Sequence, residues 1–94
     1  MSKPYIDKPF EQEGTGQKYL IRTFDENLKE SELVWHRDLQ NRNIHVLDGK
    51  GWKLQMDDKL PTELKIGKEY YIAKMSYHRL IKGENNLILR IKEI

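Results

Sequence analysis

The sequence predicts an all-β fold, a small antiparallel barrel or sandwich in a single domain. Short runs of strand-forming residues recur at even spacing, and turns rich in Gly, Pro, Asp and Asn separate them. No stretch carries apolar residues at helical spacing long enough for an extended amphipathic helix. At 94 residues the chain has room for one modest core.

Residues 1–16 contain Pro4, Pro9, Gly14 and Gly16, which interrupt regular structure, so this segment reads as an extended N-terminal arm. Tyr5, Ile6 and Phe10 give it something to bury against the barrel or a partner subunit; the plainer reading is a frayed terminus. The barrel domain then occupies residues 17–94. Its first solid strand is residues 17–24 (QKYLIRTF), and residues 25–31 (DENLKES) make a turn or a single helical turn. Residues 32–38 (ELVWHRD) alternate, with Val34, His36 and Asp38 on one face and Leu33, Trp35 and Arg37 on the other.

After a tight connection at 39–41, residues 42–47 (RNIHVL) place Arg42, Ile44 and Val46 together and His45 opposite. The Asp-Gly-Lys-Gly run at 48–51 is a strong hairpin signal. Trp52, Leu54 and Met56 then face inward, residues 57–64 form a loop around Pro61, and Gly67 marks a turn. Residues 69–73 and 77–81 read as a strand pair joined by 74–76. A last hairpin loop at 82–86 leads into the closing strand at 87–91.

Composition narrows the function. The 17 basic and 15 acidic residues are well mixed and sum to +2, a solvated surface with no basic block, so no nucleic-acid partner is expected. No run approaches the roughly 18 apolar residues of a membrane span, and the first residues lack the apolar segment of a secretory signal. Cysteine is absent, which removes disulfides and thiolate chemistry and fits a cytoplasmic setting. Phosphate loops, nucleophile elbows and zinc-finger spacings are missing as well.

What remains is a pocket. His36 and Asp38, two residues apart on a strand, point to one face and are potential metal ligands; His78, in a distant strand-like run, is a third. Trp35, Tyr70, Tyr71 and Tyr77 flank the histidine strands, and Tyr77 joins Arg42 as a candidate substrate-binding residue at the pocket mouth. His45 has the wrong parity for the site.

Two segments resemble the paired motifs of the cupin superfamily. The first family motif runs Gly, five residues, His-x-His, three or four residues, Glu, six residues, Gly; the matching positions here are Glu30, His36, Asp38, Arg42 and Gly49. The second runs Gly, five residues, Pro-x-Gly, two residues, His, three residues, Asn; here it reads Gly67, Ala73, Met75, His78 and Lys82. His36, Gly49, Gly67 and His78 keep the family residue, and spacing carries the rest. The resemblance implies a small jelly-roll-like cupin barrel, a site for one metal ion, and a possible homodimer.

The departures set the chemistry that the resemblance implies. Arginine is not a ligand, because its guanidinium stays protonated and has no acceptor. His36, Asp38 and His78 then form a two-histidine, one-carboxylate set like the facial triad of non-haem iron oxygenases, one that Fe, Mn, Ni or Zn would accept. This implies dioxygenase- or isomerase-like action on a small polar or carboxylate-bearing ligand, with Arg42 gripping the carboxylate. The alternative is a metal-free, non-enzymatic cupin that binds an anionic small molecule, with Asp38 paired to Arg42.

Overall fold

A computed structural model describes residues 3–94 of the protein. The chain runs through strands β1 (Tyr5–Glu11), β2 (Lys18–Phe24), β3 (Arg42–Asp48), β4 (Lys53–Met56), β5 (Thr62–Glu63), β6 (Glu69–Ile72), β7 (His78–Ile81) and β8 (Leu87–Glu93), with a 3-10 turn at Glu30–Glu32. No α-helix occurs among the described residues, and no helix is long and apolar enough to cross a membrane. The expected all-β antiparallel architecture is what forms.

Five strands make one sheet in the order β1-β2-β8-β3-β6, and three make another in the order β5-β4-β7. Residues directly opposite in an antiparallel pair share a face. The register Ile44↔Ile91, Val46↔Leu89 and Phe24↔Leu87 therefore lays one apolar surface across β2, β8 and β3. Against it the small sheet presents Trp52 and Leu54, and Leu28 and Leu64 from the loops complete the core. Strand β8 shows the alternation most cleanly, with Leu87, Leu89 and Ile91 buried and the residues between them not.

The segment read as an N-terminal arm supplies the edge strand β1, paired with β2 from Tyr5↔Phe24 to Glu11↔Lys18; residues 1–2 lie outside the described part. Tyr5 and Asp7 fall on the inner face, which leaves Ile6 and Phe10 outward and exposed.

Three turn readings need correction. The Asp-Gly-Lys-Gly turn does not close a hairpin, because β3 lies in the five-stranded sheet and β4 in the three-stranded one. Strands β6 and β7 are likewise in different sheets, paired with β3 and β4, and the loop before β8 also crosses over. Each turn reverses the chain locally but carries it across the core. The crossings are tied together: Lys50 N–H donates to Asn85 Oδ1 at 2.6 Å, Glu84 N–H to Lys50 O at 2.8 Å, and the Trp52 indole to Asn85 O at 2.7 Å. Gly49 takes φ 127°, and a Cβ there would stand 2.7 Å from Leu87 Cδ1.

The strand expected at 32–38 is also revised. The chain makes its 3-10 turn through Glu32, then runs extended with a single bridge, His36↔His78, closed by N–H to O bonds of 2.9 and 3.0 Å. Pairing stops there because Met75 sits at φ 64°, where a ladder cannot continue, and turns its N–H onto Asp38 O at 2.7 Å. The position that the motif gives to glycine thus keeps a left-handed backbone here while carrying methionine.

Candidate metal centre

His36 and His78 face the same side because they are direct partners in one hydrogen-bonded antiparallel bridge, His78 buried and His36 exposed with 44% of its side chain accessible. Their rings lie 4.4 Å apart between centroids. Asp38, two residues on in extended chain, projects to the same side. His78 Nε2 stands 3.2 Å from Asp38 Oδ2, His36 Nε2 stands 3.7 Å from Asp38 Oδ1, and the three donor atoms all lie within 4.8 Å of one another. Donors about 2.1 Å from a common ion stand roughly 3–3.5 Å apart at tetrahedral or octahedral angles. The cluster fits one small cation with slight closure.

Ring orientation strengthens that fit. His36 Nδ1 lies 3.0 Å from Val34 O and His78 Nδ1 lies 2.8 Å from Ser76 O. A carbonyl only accepts, so each Nδ1 carries a proton and donates, and in the neutral ring that a metal ligand requires, Nε2 is the atom that presents its lone pair on the Asp38 side. Metal-binding histidines are commonly fixed in this way through their other nitrogen. Burial holds the His78 pKa below its ordinary value, a shift that His36 and Arg42 reinforce and that the Ser76 hydrogen bond and Asp38 oppose. The neutral imidazole and the Asp38 carboxylate then meet as two acceptors at 3.2 Å, an arrangement that a cation between them satisfies.

Arg42 enters the site differently from the expectation. Its Nε and Nη2 both donate to Glu93 Oε2, at 3.2 and 2.9 Å, while Nη1 stands 3.3 Å from Asp38 Oδ1. The edge that would grip a substrate carboxylate is already taken. Glu93 was not singled out from sequence, although it continues the inward parity of Leu87, Leu89 and Ile91 and sits directly opposite Arg42. Asp38 thus has three neighbours, His36, His78 and Arg42, and Arg42 is shared between Asp38 and Glu93.

The cluster forms one end of a cavity of about 260 Å³ between the sheets. Its walls are apolar, with Phe24, Leu33, Leu54, Ile72, Leu80 and Leu89, and Arg22 also lines it. Arg22 is a second residue that sequence reasoning passed over. The available signal was an arginine at inward parity between Leu20 and Phe24.

Tyr77 does not line this cavity. Neighbours of inward residues point outward in extended chain, and the sequence repeats aromatic-His-Arg in Trp35-His36-Arg37 and Tyr77-His78-Arg79. On the outer face the rings of Trp35 and Tyr77 stack at 5.4 Å, with the Arg37 guanidinium 4.5 Å from the Tyr77 ring and that of Arg79 4.8 Å from Trp35. This ladder clamps the short segment bearing His36 onto β7. His45 keeps its outward parity and meets Arg90 Nη2 at 3.1 Å.

The two facing sheets with an inward histidine and carboxylate cluster define a cupin-fold protein with a candidate metal centre. Solved structures agree. DMSP lyase DddQ from Ruegeria pomeroyi DSS-3 superposes with a TM-score of 0.72 at 12% identity, over 94% of this chain and 45% of that one. Hydroxypropylphosphonic acid epoxidase from S. wedmorenis gives 0.70 at 14%, over 97% and 51%. A cupin-2 domain protein from Shewanella frigidimarina NCIMB 400 gives 0.67 at 19%, over 100% and 85%. The chain therefore spans about half the length of the first two and most of the third. A further fold neighbour, HppE, solved in iron(II) and cobalt(II) forms, gives TM-scores of 0.71 and 0.69 at 14% identity. At these identities the likeness establishes the fold. No protein-family model matches the sequence, and no curated protein does.

Proposed function

We infer that the protein is a small metal-dependent cupin that holds one divalent ion at His36, Asp38 and His78 and acts on a small ligand in the adjoining cavity. The observation that carries this reading is the convergence of one donor atom each from His36, Asp38 and His78 within 4.8 Å of one another, with both Nδ1 atoms tied to backbone carbonyls. An iron, manganese, nickel or zinc ion so held supplies Lewis acidity and open coordination positions, as dioxygenase- or isomerase-like chemistry requires. The chain's own contribution is to fix the two imidazoles through their Nδ1 atoms, place Asp38 between them beside Arg42, and line the adjoining cavity with apolar side chains. A metal-bearing fold neighbour such as HppE supports the reading.

The 3.3 Å approach of Arg42 Nη1 to Asp38 favours a second reading, a metal-free binding module in which that pair closes the site. Metal analysis separates the two. Protein purified without chelator, or reconstituted with iron, manganese, nickel or zinc, is expected to carry about one equivalent of metal, and a His36→Ala variant far less. Substoichiometric metal in both proteins after reconstitution sinks the metal reading.

A further inference from the structure

The metal reading leaves two cavity cations unused, Lys3 and Arg22, and the second is the buried one. Arg22 lies on the inner face of β2, 8% exposed, and lines the same cavity as the histidines. Its cross-strand partner Asp7 takes Nε at 2.8 Å and Nη2 at 2.9 Å, and the Tyr5 ring centroid lies 3.7 Å from its Cζ. The guanidinium is therefore fixed along one edge and covered on one face. Nη1 makes no hydrogen bond among the described residues, yet no side-chain nitrogen is both fully buried and unsatisfied. Nη1 is therefore not fully buried, and Arg22 lines the cavity. Arg42 has no such spare donor, since Glu93 takes its fork and Asp38 faces its third nitrogen.

We propose that Arg22, fixed by Asp7 and Tyr5, is the carboxylate-binding residue of this cavity, and that the ligand is a small monocarboxylate with an apolar body. The proposal rests on the reading of this cavity as a small-molecule site, and it does not depend on which ion the triad holds. With Asp7 on Nε and one Nη2 hydrogen, the parallel hydrogens of Nη1 and Nη2 remain as a fork, which suits a planar monoanion; a phosphate dianion would leave most of its charge unmet. In formal charge Arg22 balances Asp7 and Lys3 balances Glu32, so selection of the carboxylate rests on the directed N–H donors of Arg22 and not on an excess of positive charge; the Lys3 Nζ lies 5.6 Å from the Tyr5 ring. Glu32 also lines the cavity, with Oε2 engaged by the Lys29 N–H at 2.9 Å.

Position and volume define the rest of the ligand. Arg22 faces Leu89 across β2 and β8, Leu89 faces Val46, and Arg42 lies four residues along β3 from Val46. Strand spacings put the Arg22 and Arg42 Cα atoms roughly 16 Å apart, so the carboxylate end and the metal end are opposite ends of one cavity. A volume of 260 Å³ equals the share of about nine water molecules. The wall between the two ends is apolar, formed by Phe24, Leu54, Leu80 and Leu89, and it suits an aliphatic or aromatic body with its tail toward His36 and His78.

The test is calorimetric titration of hexanoate, hexanamide and 1-hexanol into the full chain, in chelator and again in the presence of nickel. Hexanoate is expected to bind in chelator at least roughly tenfold more tightly than the amide or the alcohol. Arg22→Gln is expected to erase that preference and Arg22→Lys to keep part of it. Equal affinity for the acid and the alcohol, no binding at all, or acid binding that needs nickel and ignores Arg22→Gln overturns the proposal. The last outcome leaves the metal reading in place, whereas hexanoate binding without any nickel binding does the reverse. Should the variants fail to fold, the Arg22 Nε–Hε NMR resonance of the unaltered protein decides: it is expected to move on saturation with hexanoate, and a stationary signal overturns the assignment.

Discussion

Asp38 stands between two claims on its carboxylate, the histidine Nε2 atoms and the Arg42 guanidinium, and Glu93 decides how far the second succeeds. Because Glu93 holds two of the Arg42 nitrogens, removing its charge releases Arg42 toward Asp38. Glu93→Gln is thus expected to weaken divalent-metal binding about tenfold, in the range found when groups that orient metal ligands are lost. Calorimetric metal titration of the variant checks this; unchanged affinity would mean that Arg42 is not restrained by Glu93. His78 makes a pH prediction. Its folded pKa lies below the unfolded value of 6.5, so the unfolded chain binds the proton more readily. Its contribution to stability is complete above 6.5 and is lost as pH falls toward the folded pKa. Urea midpoints of the chelated protein should therefore fall on acidification through this window, and His78→Gln should flatten the slope.

At the scale of elements, the segment bearing His36 has one backbone bridge to hold it, and the outer ladder of Trp35, Tyr77, Arg37 and Arg79 does much of the rest. An exposed cation–π contact contributes about 0.5–1 kcal/mol, and this segment has two together with an aromatic stack. Trp35→Ala is expected to weaken metal binding by roughly five- to tenfold through misplacement of His36. Trp35→Phe should restore most of it, while a loss of overall stability with metal affinity intact would contradict this role. The strands themselves were largely legible. Alternation located β2, β3, β4 and β8, since each has one buried face. The strand expected at 32–38 was not one, because alternation is also kept by extended chain that lacks a partner. The inward direction of His36 and Asp38 survived that error, since direction depends on extended backbone and not on pairing.

Across the whole molecule the two sheets close through crossings that pack against each other at Trp52. A Cβ on Gly83 would stand 2.5 Å from Trp52 Cδ1 and from the Trp52 backbone nitrogen. Backbone cannot yield as a flexible side chain does, so Gly83→Ala should destabilise the fold by about 1–3 kcal/mol, read from equilibrium denaturation. The spacing of the two motif-like segments was informative because it sets the length of chain between His36 and His78, which the fold brings back together as partners in one bridge. Gly, Asp and Asn at the turns announced reversals correctly, yet they could not say which sheet received the next strand. Local backbone preference fixes a bend, whereas sheet membership depends on which distant strand offers hydrogen bonds and an apolar face.

By itself the sequence determined the all-β class, the inward parity of His36, Asp38, Arg42 and the core residues, and the register of two motifs resembling those of cupins. All of these are properties of neighbouring residues and of spacing along the chain. That β3 and β4 part company, that Glu93 takes the Arg42 fork, that Tyr77 belongs to an outer ladder and that Arg22 lines the cavity came from the folded chain. Each of these depends on a partner tens of residues away or on the opposite sheet. Charge complementarity and hydrogen-bond geometry choose among such partners only once the two sheets have closed.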